Sequence, residues 1–437
     1  MLGEKNIKIE KENIQVGIIG AGVMGQLYAH KIQEAGWNVN ICDLPERFEI
    51  IQKQFQGSGV NVLENGHLVS RRSDFIIYSV ETEFIDSVVQ QYGPSTKFGA
   101  IVGGQTSVKQ PEIEAFEKHL PEDISIVTCH SLHGPNVDPT DQPLIIINYR
   151  GDQTKYDLVY RILESLNSKV IPLTWQEHDR ITADTQAATH LAFESMGTAW
   201  KTGGIVPWEN PAYIDGIGNV KVNLALRIYS NKWHVYAGIA IFNSYARAQI
   251  KQYGESVSTL YQLIISEKEL EFRERICRAK EFIFGNGREN RYIELPQDIL
   301  NEFSLSTVPK TDKRPNSNLS LFAMVDCWYN MKINPYDHLI CQTPLFRLWL
   351  GIIEYSFRDE ETLEMGIQTA LYDRQIRTHD LAYYLATLGW AQCIEHSNMD
   401  SYKKRFMDTA AFFETKLSEA NTLSSLMINF LESRRND

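Results

Sequence analysis

Ile14-Gln-Val-Gly-Ile-Ile-Gly-Ala-Gly-Val-Met-Gly25 is the stretch whose reading decides the fold. Val16 to Ile19 is an apolar run of strand length, and Gly20, Gly22 and Gly25 follow at the G-x-G-x-x-G spacing. Gln26 to Gln33 then reads as a helix. In a dinucleotide site the first glycine makes the tight turn out of the strand. The second lets the backbone approach a pyrophosphate, and the third lets the helix pack closely on the sheet, its N-terminal dipole facing the phosphates. A further strand, Asn38 to Asp43, ends on an acid 23 residues after Gly20, where a carboxylate would hydrogen-bond the adenosine ribose. The glycine pattern alone is weak, because many glycine-rich turns bind nothing. The strand before it and the helix after it make this one a nucleotide-binding unit. Cofactor contacts are expected from Gly20, Gly22, Val23, Met24, Gly25 and Asp43.

Strand and helix keep alternating to about residue 173. Asp74 to Val80, Ala100 to Val102, Ile124 to Cys129, Leu144 to Ile147 and Lys169 to Leu173 read as strands. Phe84 to Tyr92, Pro111 to His119 and Tyr156 to Leu166 read as the helices among them. The alternation predicts a doubly wound α/β sheet, a Rossmann domain over residues 1–173. Ser79 and Val80 end one strand at the carboxyl edge, where open sheets place ligands, and so join the cofactor set. From Glu177 onward apolar residues recur at three and four, as in Phe346, Leu350, Ile353 and Phe357, which predicts an all-helical region. Pro309, Pro315 and the run Thr311 to Arg314 suggest a linker over 296–315 between helical blocks 174–295 and 316–437. His190 to Trp200 and Asn318 to Trp328 share a tryptophan ten residues from the start, and Leu226 to Tyr229 is echoed by Leu345 to Leu348. The blocks read either as a duplication or as a chance likeness between helices.

The charge balance is 43 Lys+Arg against 55 Asp+Glu, a net −12, which argues against a nucleic-acid partner. An anionic substrate must then find a local cluster of cations. The six cysteines show neither C-x-x-C nor metal-ligand spacing, so no metal site is expected and the thiols suit a reducing compartment. Met1 to Asn13 is charged and lacks an apolar core, and no run reaches membrane-spanning length. A cytoplasmic protein without a membrane partner is the expectation.

His130 is the leading candidate for chemistry. It follows a buried strand at the carboxyl edge, in His130-Ser-Leu-His-Gly-Pro135, and imidazole is the natural proton acceptor near neutral pH. Ser107 ends the loop of the preceding strand and is expected beside it; otherwise it caps the helix before Pro111. Glu177-His-Asp179 reads equally well as a functional segment or as a polar first turn. His190 lies on the long helix expected to line the cleft, where a lone histidine is more often a satisfied core residue.

Several segments together resemble prephenate dehydrogenase, in particular the longer fungal form that uses NADP. They are the glycine motif, Tyr78-Ser-Val-Glu81, Gly103-Gly-Gln-Thr-Ser107, His130 to Pro135, Glu177-His-Asp179, the helix around His190, and Leu226 to Gly238. The resemblance covers nearly the whole chain. It implies oxidative decarboxylation of prephenate to 4-hydroxyphenylpyruvate in tyrosine biosynthesis, with His130 catalytic and Ser107 assisting. Bacterial members place an arginine against the ring carboxylate; the matching positions here are Gly238 and Tyr355, neither basic. Arg227 and Lys232 are the first replacements to consider, then Arg347, with His190 completing the substrate set. Asp43 favours NAD, because an acid repels a 2′-phosphate. The resemblance implies NADP, and Arg47, one helical turn on, could pair with that phosphate. NADP is the expectation and NAD the alternative. Rival readings are arogenate dehydrogenase, a β-hydroxyacid dehydrogenase and a nucleotide sensor without turnover. The β-hydroxyacid enzymes use a lysine from the helical half, and the His130 loop argues against them. Two helical blocks in one chain imply a monomer built as an internal pseudo-dimer, with a homodimer as the alternative.

Overall fold

Strand β1 (Gln15–Ile19) leads through the glycine turn into helix α1 (Val23–Glu34) and on to β2 (Asn38–Cys42). The computed structural model describes residues 11–134, 137–214, 216–285, 293, 295, 303–306, 308–341 and 343–433. Pro135 and most of the expected 296–302 segment of the linker lie outside the described residues. The chain divides into two units, Met1–Asp179 and Arg180–Asp437, and the division falls inside helix α7 (Trp175–Thr182).

The first unit is an eight-stranded sheet in the order β3-β2-β1-β4-β5-β6-β7-β8. The further strands are β3 (Asn61–Val62), β4 (Phe75–Tyr78), β5 (Ile101–Gly104), β6 (Ser125–Ser131), β7 (Pro143–Arg150) and β8 (Lys169–Pro172). Helices α2 (Phe48–Gln54), α3 (Gly66–Arg72), α4 (Ile85–Tyr92), α5 (Lys109–His119) and α6 (Gln153–Leu163) cover it. Alternate residues of a strand serve opposite faces: Phe75 and Ile77 join the core that holds α1 and α6, and Ile76 and Tyr78 the core under α4 and α5. This is the expected Rossmann fold with one correction. The sheet is not doubly wound throughout, because β7 runs antiparallel to β6. Leu132 to Gln142 is too short for the helical crossover of about a dozen residues that parallel strands need, so the chain turns straight back. After α6, β8 returns parallel to β7. Strands β1, β4, β5 and β6 are mutually parallel, so their carboxyl ends share one edge.

In the second unit every regular element is helical among the described residues. A π-helical turn, Ala183–Ala187, precedes α8 (Ala188–Thr202). Then come α9 (Gly216–Ser230), α10 (Trp233–Phe242), α11 (Ser244–Ile265) and α12 (Glu269–Phe284). The second run is α13 (Leu319–Met331), α14 (Pro344–Arg358), α15 (Glu360–Tyr372), α16 (Arg374–Glu395), α17 (Met399–Phe412) and a final α18 (Glu414–Ser433).

The two runs repeat one another. Helices α9 and α14 are both 15 residues long, and α11 and α16 both 22. Asn243 and Asp373 cap α11 and α16 alike, each accepting from the second and third N–H of its helix. Both helices exit through a left-handed residue, Glu267 (φ 54°) and Ser397 (φ 49°). The contacts are reciprocal: α11 packs on α13 as α16 packs on α8, and α11 meets α16 between them. At that crossing the matching tyrosines meet, Tyr253 Oη and Tyr383 Oη 2.6 Å apart. Each lies near the carbonyl of a matching residue in the opposite run, Ser320 at 3.1 Å and Ala192 at 3.5 Å. Such reciprocity is the signature of a two-fold interface, here inside one chain. Phe346, Leu350 and Ile353 are fully buried in the common core.

Candidate active site

The glycine turn has the geometry its spacing predicts. Gly20 sits at φ +108°, and a Cβ there would stand 2.3 Å from the Ser79 carbonyl oxygen. A Cβ on Gly25 would stand 2.1 Å from the Gly20 carbonyl oxygen, so neither position admits a side chain. Around Gly22, by contrast, there is open space, which suits the approach of a phosphate. Gly22 caps α1 without a side-chain bond, so the first N–H groups of the helix, at Val23 and Met24, point at a place where an anion is favoured. These residues fit a dinucleotide. Asp43 has a different arrangement from the one its spacing suggests. Its carboxylate accepts from the N–H of Ala21 (3.1 Å), the N–H of Leu44 (2.8 Å) and Arg47 Nη1 (2.6 Å). The acid pins the glycine turn, and the guanidinium lies over it, 39% exposed.

A chain of polar side chains runs along the same edge from the glycine turn to His130. Ser79, against Gly20 and Gly25, donates to Gln105 Oε1 at 2.7 Å. Tyr28, on α1, shares a 2.7 Å hydrogen bond with Ser131, the residue after His130. Val80 packs beside Gly20.

His130 itself is buried in β6, and a relay stands behind it. Thr174 and Glu177 form a reciprocal cap on α7: the Glu177 carboxylate accepts from the N–H of Thr174 (2.8 Å), and Thr174 Oγ1 from the N–H of Glu177 (3.2 Å). The next two residues turn inward. His178 Nε2 lies 2.7 Å from His130 Nδ1, and His178 Nδ1 lies 2.7 Å from Asp179 Oδ1. Asp179 also accepts from the N–H of Lys109 (2.7 Å) and of Gln110 (2.8 Å), at the positive end of α5. These contacts fix the tautomers. An ionised carboxylate only accepts, so His178 carries its proton on Nδ1. Neutral His178 then accepts at Nε2, so His130 donates from Nδ1 and keeps a free lone pair on Nε2. Burial lowers the pKa of His178, although Asp179 raises it. Burial, with the charges of His178 and Lys109, holds His130 well below the usual imidazole range. The result is a neutral imidazole with one acceptor nitrogen, the form a general base needs.

Ser107 is half-buried in the loop between β5 and α5. Among the described residues no hydrogen bond joins it to His130. It does not cap α5 either: Val108 holds the N-cap position, and Asp179 takes the exposed N–H groups. The loop is fastened by a buried ion pair. Lys109 Nζ donates to Glu112 Oε1 (2.9 Å) and to the carbonyl of Cys129 (2.7 Å), while Glu112 accepts from the N–H and hydroxyl of Thr106 (3.1 and 2.6 Å).

Two family models match the chain. One, described as NADP oxidoreductase, coenzyme F420-dependent, covers residues 15–102. The other, described as a 6-phosphogluconate dehydrogenase C-terminal domain, covers residues 187–433. A protein of Schizosaccharomyces pombe named probable prephenate dehydrogenase [NADP(+)] is 49% identical over 96% of this chain and 98% of its own. One of Saccharomyces cerevisiae named prephenate dehydrogenase [NADP(+)] is 47% identical over 100% of this chain and 98% of its own. The chain belongs to the prephenate dehydrogenase family. The crystal structure of prephenate dehydrogenase from Aquifex aeolicus is 20% identical, covering 59% of this chain and 95% of that one, with a TM-score of 0.48.

Within this prephenate dehydrogenase family chain, the three substrate candidates of the second unit have unlike surroundings. His190 is buried, its ring edge-on to Tyr236 at 4.8 Å, and Nδ1 has no partner among the described residues. Burial lowers its pKa to about 3, so it offers a hydrogen bond and not a charge. Arg227 turns its Nη1 to Asn421, Ser424 and Ser425 of α18, at 3.2, 3.1 and 2.8 Å. That guanidinium fastens the last helix. Lys232 is exposed at the N-cap of α10. Tyr236, which no motif singles out, sits between them: it meets His190, and Asn231 donates to its hydroxyl (3.0 Å) and to the Arg227 carbonyl (3.0 Å). His178 and Asp179 lie in a segment that reads equally well as a polar helix start. Only the fold, which returns α7 to β6, reveals what they touch.

Proposed function

We infer that this chain converts prephenate to 4-hydroxyphenylpyruvate and carbon dioxide, with NADP as the oxidant. The observation that carries the reading is the acceptor nitrogen of His130, held on the sheet edge that also carries the glycine turn. NADP, when bound, supplies a nicotinamide that takes the hydride from the ring carbon bearing the hydroxyl. The protein's part is to hold the reactants and to take the proton. Gly20, Gly22, Val23, Met24 and Gly25 hold the pyrophosphate, with Ser79 and Val80 closing the edge above them. His130 Nε2 accepts the hydroxyl proton, and Ser107 assists from the neighbouring loop. An imidazolium would hold that proton in place, so its neutral form matters. Loss of the ring carboxylate then gives the aromatic product, and the ring's aromatisation drives the reaction forward. His190 and Lys232 serve the substrate, whereas Arg227 already has oxygen partners in α18.

Arg47 is the residue that selects NADP. Asp43 has its carboxylate engaged by two backbone N–H groups and Arg47, so it presents little negative charge to a 2′-phosphate. The half-exposed guanidinium takes that phosphate instead. Reduced nicotinamide formed from prephenate, followed by absorbance with NADP and with NAD at matched concentrations, tests both statements. Turnover with prephenate is expected with NADP preferred, and no reduced cofactor from either nucleotide would remove the reading. Arg47→Ala is expected to raise KM for NADP about 10- to 100-fold, the worth of a charge-assisted hydrogen bond or two, and to leave NAD nearly unaffected.

The assembly follows from the repeat. The second helical run occupies the place a partner's block would take, and the apolar faces of α14 are covered inside the chain. A monomer working in the cytoplasm is the resulting proposal. Among the described residues no helix is long and apolar enough to cross a membrane. Light scattering at low micromolar concentration is expected to give the mass of one 50.1 kDa chain, and twice that mass at the lowest concentration measured would rule the monomer out.

A further inference from the structure

The second unit contains a polar cavity of about 40 Å³ that the reaction does not use. Lys221 and Asp380 line it, with Trp200, Tyr213, Ser320 and His379. Both charged residues are buried, at 3% and 5% exposure. Lys221 Nζ donates to Asn318 Oδ1 (2.7 Å). Asp380 Oδ1 accepts from Ser317 Oγ (2.7 Å), but its Oδ2 has no partner among the described residues. Nor does an ion pair join the two among those residues. A buried cation and a buried anion thus face one cavity without touching, an arrangement costly to keep unless something bridges them. Burial pushes Lys221 down to about 7 and Asp380 up to about 7, the same strain seen from each side.

The repeat explains where this cavity comes from. Counting back from the paired tryptophans Trp200 and Trp328, Asn318 stands where His190 stands in the first run. His379 and Asp380 hold the places on α16 that Gln249 and Ile250 hold on α11. Lys221 holds the place on α9 that Trp349 holds on α14. The cavity is therefore the second copy of the region around His190, and the charged pair is found in this copy alone. A duplicated pocket with no further duty would be expected to fill with apolar side chains. This one keeps two opposite charges and room for about three waters.

We propose that the cavity binds the ammonium–carboxylate head of a free α-amino acid, its carboxylate on Lys221 and its ammonium on Asp380 Oδ2. The nitrogen and two oxygens of that head replace about three waters and satisfy both charges at once. Tyr213, stacked on His379 with Trp200 at its edge, forms the wall beside it. This site is separate from the redox chemistry, so it stands or falls on binding alone. Titration calorimetry and melting temperature of the full chain with glycine, glycinamide and N-acetylglycine test it. Glycine is expected to bind saturably and raise the melting temperature. Glycinamide, without the carboxylate, and N-acetylglycine, without the ammonium, are expected to bind at least about tenfold more weakly, the loss of one charged hydrogen bond. Asp380→Asn and Lys221→Met should each abolish glycine binding; where a variant does not fold, the comparison of the three ligands on the unaltered protein decides. Absence of saturable glycine binding, equal affinity for all three, or unchanged binding in folded Asp380→Asn overturns the proposal and leaves a water-filled cavity.

Discussion

His130→Asn is expected to lower kcat for NADPH formation from prephenate by about two to four orders of magnitude, the usual contribution of a positioned general base. Asparagine is a demanding replacement because it keeps a side-chain N–H for His178 Nε2 and so preserves the relay's geometry. What it lacks is the basic nitrogen. NADP affinity should be unchanged, since the glycine turn and Asp43 are held by their own contacts. His178→Asn then separates proton acceptance from positioning. With His130 intact, kcat should fall less, but the acid limb of the pH profile should move. In the unaltered protein the His130 pKa is depressed, so the base stays neutral and active as pH falls through the ordinary imidazole value of about 6.5. Burial is the larger cause of that depression and the neighbouring His178 the next. Removing His178 takes away one lowering influence, raises the His130 pKa, and shifts the acid limb to higher pH. A His178 that merely fills space would leave the limb where it is. Near-normal turnover in His130→Asn would take His130 out of the mechanism altogether.

The residues just discussed mark how far the sequence could be read. The glycine turn was legible because its geometry is local: Gly20 and Gly25 are forced by contacts within a few residues and one neighbouring strand. The apolar strands of the sheet were legible for the same reason, since burial on both faces leaves an unbroken β-branched run. The two-residue strand β3 carries no such run, and the reversal of β7 depends on a connection length whose meaning emerges only once β6 is placed. His130 could be found from its place at a strand end. Its partners could not, because His178 is 48 positions away and its segment also satisfies the pattern of a capped helix start. Asp43 was legible as an acid at the right spacing, but its hydrogen bonds go to the turn it pins. Arg227 looked like a free cation in sequence, while the fold brings α18 to it from nearly 200 positions on. Periodicity reports which face is buried; it does not report which distant polar group arrives there.

Lys109→Met is expected to destabilise the first unit by about 3–5 kcal/mol, the cost of removing one partner from a buried ion pair. Lys109 and Glu112 side chains are both wholly buried. Methionine fills the space of the lysine stem but leaves the Glu112 carboxylate without a cation and the Gly104 and Cys129 carbonyls without this donor. Thr106 and Thr128 still donate to the carboxylate, yet neutral hydroxyls cannot balance a charge taken out of water. Hydrogen exchange at the amides of β5 and β6 reads the loss in the unit concerned, alongside the denaturant midpoint. Lys118→Met is the control: its ammonium, 3.1 Å from Asp86 on the surface, is solvated and screened, so the same removal should barely move the midpoint. The double variant Lys109→Met with Glu112→Gln should recover part of the loss, because no buried charge is then left alone. Protection in Lys109→Met within about 1 kcal/mol of the unaltered protein would mean that the carboxylate finds a proton or water in place of the ammonium. The result also bears on catalysis, because this ammonium bonds the carbonyl just before His130 and helps hold that imidazole neutral. The ion pair that fastens the loop and the field that tunes the base are thus one feature, and a variant that keeps the fold while losing Lys109 should show a raised His130 pKa.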